Sequence, residues 1–291
     1  MNRPHITVKY LEFIREHTNI KCIYYGHDLH YLREGREYAL TGDKTKKEES
    51  DHWRKLEYSI MHTCEAVYYP STMEEEEIRK VDPKIPVKSV SVYSYDTFRE
   101  EIPQDFAARR GLLFVGGFGH RPNADAVLWF VKEIYPQIRA GLGAEADQVP
   151  FYIVGSRAPR EITELNGTDG SGGPGPIEVK GFVSDEELTR LYDGCRLVAC
   201  PLRFGAGVKG KVIESIYNGI PMITTSIGAE GIPEVRTVVT VEDEPEAFAS
   251  RTVELYRDTE KLAEISRRTQ GYIREYFSMD ALWDKVREDF T

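Results

Sequence analysis

The chain has 291 residues, enough for one large domain or two domains of ordinary size. Its formal charge of −10 and isoelectric point near 5.4 argue against a nucleic-acid-binding protein. The four cysteines form no C-x-x-C pair, and no apolar run approaches the roughly 18 residues of a membrane span, so the composition predicts a reduced, cytoplasmic protein without a zinc site.

Short apolar segments alternate with helical patterns in the first third of the chain. Strands are predicted over residues 21–25, Ala66–Tyr69 and 87–93, and amphipathic helices around residues 8–14 and 53–64. The polar residues 41–50 are expected to form a mobile loop, and residues 94–108 a linker between domains. Ser71 and Glu74 form a capping box, so the acidic run 74–77 is interpreted as complementing a helix dipole rather than as a metal site.

The remaining sequence alternates strands and helices more regularly. Strands are predicted over Leu112–Val115, Phe151–Val154, and residues 177–179, 197–202, 221–225 and 238–241. A helix is expected from Asn123 with a kink near Pro136, a second capping box begins at Ser184, and residues 167–176 are interpreted as a flexible excursion. This alternation predicts a parallel sheet of about six strands with helices on both faces, whose ligands bind beyond the carboxyl ends of the strands.

One glycine-rich segment, residues 203–214 with the sequence RFGAGVKGKVIE, lies between a predicted buried strand and a predicted helix. Its glycines allow a ligand to approach the backbone, and a helix N-terminus with Lys209 and Lys211 favours an anion. Glu214 is an acceptor for hydroxyl groups, and phosphate with hydroxyls is the chemistry of a sugar nucleotide. The alternative is a tight connection with solvated lysines. The spacing is not that of a P-loop.

Two other clusters have more than one interpretation. His27 and His30 could belong to a metal site that lacks a third ligand, or be ordinary surface or core histidines. Gly117 and Gly119 follow a strand but do not form a dinucleotide fingerprint, because Pro122 occupies the third glycine position. They form either a tight turn or part of a ligand site.

Residues 203–228, RFGAGVKGKVIESIYNGIPMITTSIG, resemble the donor-binding segment of the group-1 retaining glycosyltransferases, which have the GT-B fold. The resemblance implies that Glu214 binds the ribose of the nucleotide and that Lys209 and Lys211 serve the diphosphate. A Glu that many members carry eight residues before Glu214 is replaced here by Ala206, which leaves the contact from that position to the donor sugar open. Lys211 and Glu214, three residues apart, are expected to face one ligand, and Lys209 to point elsewhere, toward solvent.

The resemblance also implies roles outside this segment. Arg121 corresponds to a basic residue that contacts the diphosphate, His27 to a histidine that faces the donor sugar, and residues 181–183 to a segment near the base. Glu230 either lies beside the ribose or begins a helix. The residues expected to act in catalysis are thus His27, Arg121 and Lys211. The residues expected to bind the donor are Gly117, Gly119, Gly205, Ala206, Gly207, Val208, Lys209, Lys211, Glu214 and Glu230.

The resemblance implies an α/β fold of GT-B type with two Rossmann-like domains. Residues 1–107 are expected to form an incomplete first domain with the linker, and residues 108–291 a doubly wound nucleotide-sugar-binding domain whose last helices pack back on the first. The implied activity is metal-independent, cofactor-free transfer with retention, from a UDP-, GDP- or TDP-linked sugar to a sugar or glycoconjugate acceptor of a cell-surface polysaccharide. The alternative is a non-catalytic nucleotide-sugar-binding or interaction module. The expected location is the cytoplasm, where the protein could associate with the inner face of the membrane or with a larger assembly.

Overall fold

The computed structural model describes residues 1–205 and 207–290, with only the backbone described at residues 40 and 41. The chain forms two parallel sheets, one of three strands and one of six. In the first sheet the strands lie side by side in the order β1 Ile23–Tyr25, β2 Ala66–Tyr69 and β3 Val87–Ser89. In the second sheet the order is β6 Ile177–Gly181, β5 Phe151–Val154, β4 Leu112–Val115, β7 Leu197–Cys200, β8 Met222–Thr224 and β9 Thr240–Val241. The prediction of an α/β fold with a six-stranded parallel sheet is therefore confirmed.

The first sheet and its helices occupy the first third of the chain. The strands are β1 Ile23–Tyr25, β2 Ala66–Tyr69 and β3 Val87–Ser89, and the helices are α1 Pro4–His17, α2 His30–Thr41, α3 Lys44–Thr63 and α4 Thr72–Val81. The apolar run of β2 is buried at every position, which fits a central strand that is covered on both faces. Its bounds are those predicted, whereas β3 covers only the first three residues of the predicted strand 87–93.

The second sheet follows a segment without regular secondary structure that covers most of residues 94–108. Its strands are β4 Leu112–Val115, β5 Phe151–Val154, β6 Ile177–Gly181, β7 Leu197–Cys200, β8 Met222–Thr224 and β9 Thr240–Val241. The helices are α5 Arg121–Trp129, α6 Tyr135–Leu142, α7 Arg160–Thr163, α8 Asp185–Gly194, α9 Gly210–Tyr217, α10 Ser226–Ala229, α11 Pro245–Arg257, α12 Thr259–Phe277 and α13 Met279–Val286. A π-helical turn, Phe130–Ile134, joins α5 to α6 just before Pro136, where a kink is predicted.

The predicted mobile loop over residues 41–50 is wrong for most of its length, because α3 begins at Lys44. The Asp43 side chain caps this helix by accepting a hydrogen bond from the Thr45 N–H at 2.9 Å. Lys46 Nζ, in the first turn of α3, lies 2.7 Å from Glu34 on α2 and 3.0 Å from Glu49 one turn further along α3. These ion pairs connect the start of α3 to α2. Local capping and ion pairs therefore support a helix where the sequence lacks an apolar periodicity.

Helix caps elsewhere follow the sequence signals. Ser71 accepts a hydrogen bond from the Met73 N–H at 3.2 Å, and Ser184 accepts one from the Glu187 N–H at 3.3 Å. Both predicted N-termini are thus confirmed, since Ser71 and Ser184 are the residues that precede α4 and α8.

The end of the chain contacts the first sheet. Asp289 accepts hydrogen bonds from the Tyr68 hydroxyl at 2.6 Å and from Lys88 Nζ at 2.7 Å, while Val286 packs in a small core with residues of β2. A parallel bridge between Tyr95 and Ser278 ties the connecting segment to the start of α13. In the parts of the chain that the structure describes, no helix has the length and apolar character needed to cross a membrane.

Candidate functional site

The glycine-rich turn after β7 brings backbone close to open space at the carboxyl edge of the larger sheet. Gly205 and Gly207 have φ angles of +133° and +72°, which a residue with a Cβ rarely adopts. A Cβ built at Gly207 would meet no atom within 4 Å, so a ligand can approach this backbone closely. Ala206, which is among the expected donor-binding residues, lies outside the described residues.

Helix α9 begins directly after this turn with no side chain capping its N-terminus. Unpaired N–H groups and the helix dipole favour an anion at such an end. Gly210 is its first residue, and a Cβ there would collide with the ring of Tyr93 from the connecting segment. The glycine therefore allows the connecting segment to pack against the start of α9.

Lys211 extends from the first turn of α9 across the end of β4. Its Nζ donates a hydrogen bond to Asn123 Oδ1 and lies 4.8 Å from the centre of the Phe114 ring. A Cβ on Gly116 would come within 2.5 Å of this Nζ, so the residue after β4 must be glycine for Lys211 to take this place. No role for Asn123 is predicted from the sequence. The sequence offers one indication of such a role, which is the position of an amide in the first turn of a helix that follows a strand and a glycine-rich turn.

The charge of Lys211 is only partly compensated by the protein. Burial lowers the pKa of its ammonium group, while Cys200 and Glu214 act in the opposite direction. Within the described residues, no carboxylate oxygen lies within 4.0 Å of Lys211 Nζ. A partly desolvated cation without a close counter-ion favours the binding of an anion.

Glu214 lies one turn after Lys211 and lines the same cavity of about 530 Å³. Burial raises the pKa of the Glu214 carboxyl, and Asp185 adds to this effect, whereas Lys211 opposes it. Tyr95 and Tyr217 also line the cavity and stack on each other with ring centres 4.1 Å apart. The cavity is therefore lined by an ammonium group, by a carboxylate that can accept hydrogen bonds from hydroxyl groups, and by aromatic rings.

The prediction that Lys209 points toward solvent is wrong. Its side chain is only 9% exposed, and its Nζ donates to the carbonyl of Gly207 and lies 3.6 Å from Glu230 Oε2. Glu230 also accepts a hydrogen bond at 2.7 Å from Arg36 on α2. Burial lowers the pKa of Lys209, and the nearby Glu230 counteracts this effect. The chain folds Lys209 inward because a carboxylate from the turn after α10 meets it there, a partner that spacing along α9 could not reveal.

Glu230 does not begin a helix, because it is the residue directly after α10. Its carboxylate joins the two halves of the molecule through Arg36, and it does not line the cavity that contains Lys211 and Glu214. The other expectation for Glu230, that it lies beside the ribose, stays a prediction.

His27 lies in the turn after β1, opposite the glycine-rich turn. It lines a cavity of about 270 Å³ together with Asp28, Pro70, Gly207 and Val208. The structure therefore brings His27 and the glycine-rich turn to one cleft between the two sheets.

The other histidine of this cluster has a different partner. His30 Nδ1 lies 2.8 Å from the buried Glu57, and its ring packs on Trp53 with ring centres 4.6 Å apart. Over residues 1–205 and 207–290, no group of three or more His, Cys, Asp or Glu side chains is arranged to hold a metal ion.

The turn between β4 and α5 holds the last group of expected residues. Gly117 and Gly119 are exposed, and Arg121 is the exposed first residue of α5 and does not line the cavity of Lys211. Burial lowers the pKa of the neighbouring His120, and the charges of Lys211 and Lys209 add to this effect. The expected roles of Gly117, Gly119 and Arg121 stay predictions.

Two parallel sheets flanked by helices, joined by a connecting segment and facing each other across the glycine-rich turn, define a protein of the GT-B type. The family model described as glycosyl transferases group 1 matches residues 109–258, which are 150 of the 291 residues, and the chain belongs to this family. A relative from Klebsiella pneumoniae, an uncharacterized 44.6 kDa protein in the cps region, is 25% identical over 177 residues. That match covers 60% of this chain and 44% of the relative.

Solved GT-B glycosyltransferases share the fold at low identity. The crystal structure of TarM matches with a TM-score of 0.70 and 14% identity, over 100% of this chain and 54% of TarM. HepE from Anabaena, in complex with UDP-glucose, has a TM-score of 0.64 and 16% identity, over 99% of this chain and 76% of HepE. WaaG, a glycosyltransferase of lipopolysaccharide biosynthesis, has a TM-score of 0.64 and 14% identity, over 98% and 80% of the two chains. The chain thus spans about half the length of TarM and less than half of the Klebsiella relative.

Proposed function

We propose that the protein is a glycosyltransferase that binds a nucleotide sugar at the start of α9 and transfers the sugar, with retention, to an acceptor hydroxyl. The observation that carries this proposal is the placement of Lys211 and Glu214 in one cavity at an uncapped helix N-terminus. An ammonium group and helix N–H groups suit a diphosphate, and a carboxylate suits the two hydroxyls of a ribose.

In this proposal the residues of the site have separate roles. The diphosphate lies against the glycine-rich turn and the first turn of α9, where Lys211 donates to a phosphate oxygen. Glu214 accepts hydrogen bonds from the ribose, and residues 181–183, at the end of β6 and just beyond it, lie on the side of the base. His27 faces the sugar from the opposite side of the cleft, next to Gly207.

The chemistry proposed for these groups is electrostatic. As the bond between the anomeric carbon and the diphosphate oxygen breaks, negative charge develops on the leaving diphosphate. Lys211 already lies in a partly desolvated position, held by Asn123, so it can stabilise that charge without reorganising. We propose that Lys209, although it is paired with Glu230, and Arg121 at the exposed start of α5 add to the positive charge on this side of the cleft. These cations take the place that a divalent metal has in other transferases, so we propose a metal-independent reaction that needs no cofactor.

The proteins of similar fold support the substrate class. HepE is described in complex with UDP-glucose, and a TarM variant in complex with UDP. WaaG acts in lipopolysaccharide biosynthesis, and the Klebsiella relative comes from a cps region. We therefore propose a UDP-linked sugar as the first donor to test, ahead of GDP- and TDP-linked sugars, and a cell-surface polysaccharide or glycoconjugate as the acceptor.

The proposed location is the cytoplasm, since all four cysteines are buried free thiols. Association with the inner face of a membrane is proposed from the exposed apolar side chains of α1, among them Tyr10 and Phe13, and from the exposed Trp283 and Phe290 near the end of the chain.

A non-catalytic nucleotide-sugar-binding module is the second candidate. Ala206 favours it, because a carboxylate that contacts the donor sugar in the resembled enzymes has no counterpart at this position. Turnover separates the candidates. Both predict binding of the donor, but only the transferase releases nucleoside diphosphate from it.

The proposal is tested first by a thermal-shift panel of UDP, GDP, TDP, their glucose conjugates and the corresponding nucleosides. A ligand that binds only the folded state raises the melting temperature, and at a fixed ligand concentration the rise is larger for a tighter ligand. At least one nucleoside diphosphate should stabilise the protein far more than its nucleoside does. Equal shifts for nucleoside and nucleoside diphosphate with every base would contradict a diphosphate site.

A further inference from the structure

The first turn of α2 is held by two buried carboxylates that come from other helices. Glu57 on α3 is fully buried, and its Oε1 accepts a hydrogen bond from the His30 N–H at 2.9 Å while Oε2 accepts one from the Tyr31 N–H at 3.3 Å. Glu74 on α4, 2% exposed, accepts a hydrogen bond from the Leu29 N–H at 3.1 Å. The N–H groups at a helix start have no partner within their own helix, and these carboxylates supply it from outside.

Burying carboxylates is a costly way to cap a helix. Serine or aspartate at the residue before α2 could cap the helix with its own side chain, yet that residue is Leu29. Burial raises the pKa of Glu74 to about 8, and the neighbouring Asp28 and Glu230 carboxylates add to the effect. Glu74 Oε2 is buried with no hydrogen-bond partner. Stability alone therefore does not account for this arrangement, since a buried ionisable group is weak support for a fold.

Helix α2 and the turn before it contribute two side chains to the cleft between the two sheets. The turn directly before α2 holds His27, which faces Gly207, and Arg36 two turns along the helix bonds Glu230 in the other half. The same turn is fixed at its beginning, because Gly26 donates its N–H to the Tyr68 carbonyl at 2.9 Å. Carboxylates at one end and the sheet at the other leave this turn little freedom to shift.

We propose that Glu57 and Glu74 are positioning residues, which hold the start of α2 so that His27 meets the donor sugar opposite the glycine-rich turn. The inference rests on the proposed function, and it adds two residues that touch neither donor nor acceptor. It predicts that weakening these hydrogen bonds slows the chemical step while leaving the nucleotide site on α9 intact.

The experiment compares four variants for UDP affinity, by calorimetry, and for kcat of UDP release from UDP-glucose. Glu57→Gln places an amide donor against a backbone N–H, and Glu74→Leu removes the acceptor for Leu29. Both should lower kcat at least about tenfold and change the Kd for UDP less than about twofold. Glu74→Gln keeps an acceptor oxygen and should retain near wild-type kcat.

Glu65→Leu is the control matched to Glu74→Leu, because it likewise removes the acceptor of a backbone N–H. Glu65 also accepts a backbone hydrogen bond, from the Cys22 N–H at 2.7 Å, and pairs with Arg15, but it precedes β2 and so lies at the edge of the sheet away from the cleft. Its variant should lose stability without a change in kcat. If Glu65→Leu lowers kcat as much as Glu74→Leu does, general destabilisation explains the effect and the proposal is overturned.

A double variant decides whether the carboxylates act through His27. Adding Glu57→Gln to His27→Ala should cause no further loss of kcat, because the group being positioned is already gone. Independent, additive losses would contradict the proposal. Circular dichroism identifies any variant that does not fold. If Glu57→Gln does not fold, Glu74→Leu is combined with His27→Ala instead.

A readout that does not need turnover separates this inference from the proposed transfer. In ¹⁵N spectra of the histidine rings, UDP-glucose should perturb the His27 signals of the wild type more than UDP does. Glu57→Gln and Glu74→Leu should lose that difference while still binding UDP. Failure of UDP-glucose to release UDP, with this spectral pattern present, would count against catalysis but support the positioning role. An unchanged His27 response in both variants, or none in the wild type, would refute it.

Discussion

Replacing Lys211 by methionine should weaken the binding of UDP far more than the binding of uridine. Methionine is a flexible apolar side chain of similar length, and the substitution removes the ammonium group together with its contact to the Phe114 ring. The wild-type ammonium is partly desolvated and has no carboxylate within 4.0 Å among the described residues, so a bound diphosphate becomes its principal counter-ion.

The magnitude follows from the type of bond that is lost. A hydrogen bond to a charged group contributes about 1.5–3 kcal/mol, which is about a 10- to 150-fold loss of UDP affinity. Uridine lacks the diphosphate, so its affinity should change less than about twofold. Lys132→Met is the control, because that lysine is 81% exposed on the same half of the molecule and should alter neither affinity.

Titration calorimetry of the three proteins with both ligands gives six dissociation constants. Comparable losses for UDP and uridine in Lys211→Met would mean that the substitution distorts the cavity rather than removing a phosphate contact. An unchanged UDP affinity in a folded variant would refute the diphosphate role of Lys211 outright.

Three further predictions concern the carboxylates and metal independence. Glu214→Ala should cost about 1–3 kcal/mol for UDP and for uridine alike, since the ribose is common to both, and calorimetry showing a loss for UDP alone would contradict a ribose contact. The affinity for UDP should be the same with and without EDTA, and recovery on adding Mg²⁺ after a loss would show that a metal is required. The pKa of Glu74 is raised in the folded state from 4.5 to about 8, so the native state binds more protons and its free energy of unfolding should fall as pH rises from about 4.5 to about 8. The difference in free energy of unfolding between wild type and Glu74→Gln, measured in urea, should change by up to about 5 kcal/mol over that range. His30, whose pKa is also raised, is present in both proteins, so its titration contributes equally to both. A difference that does not depend on pH would refute the assignment to Glu74.

Local patterns predicted the central strands and the start of the candidate site. Leu112–Val115 and Phe151–Val154 are continuous apolar runs because both faces of the sheet are covered, and their bounds agree with the sequence prediction. Lys211 and Glu214 lie in one cavity because residues three apart share a helix face, which needs no knowledge of the rest of the fold.

The contacts that the sequence did not reveal join residues far apart in the chain. Lys211 meets Asn123, 88 residues earlier, and Glu230 meets Arg36, 194 residues earlier. Glu230 also accounts for the wrong prediction for Lys209, because the side chain of Lys209 turns inward toward the Glu230 carboxylate instead of toward solvent. Propensity and periodicity describe neighbours along an element, and they do not specify which elements the fold brings together.

A structure of the complex with UDP-glucose would show where the diphosphate and the ribose of the donor bind. We predict a diphosphate oxygen about 3 Å from Lys211 Nζ at the start of α9, with the ribose hydroxyls bound to Glu214 and the glucose ring between His27 and Gly207. A nucleotide bound elsewhere, or one whose ribose lies away from Glu214 with its phosphates remote from Lys211, would contradict this prediction.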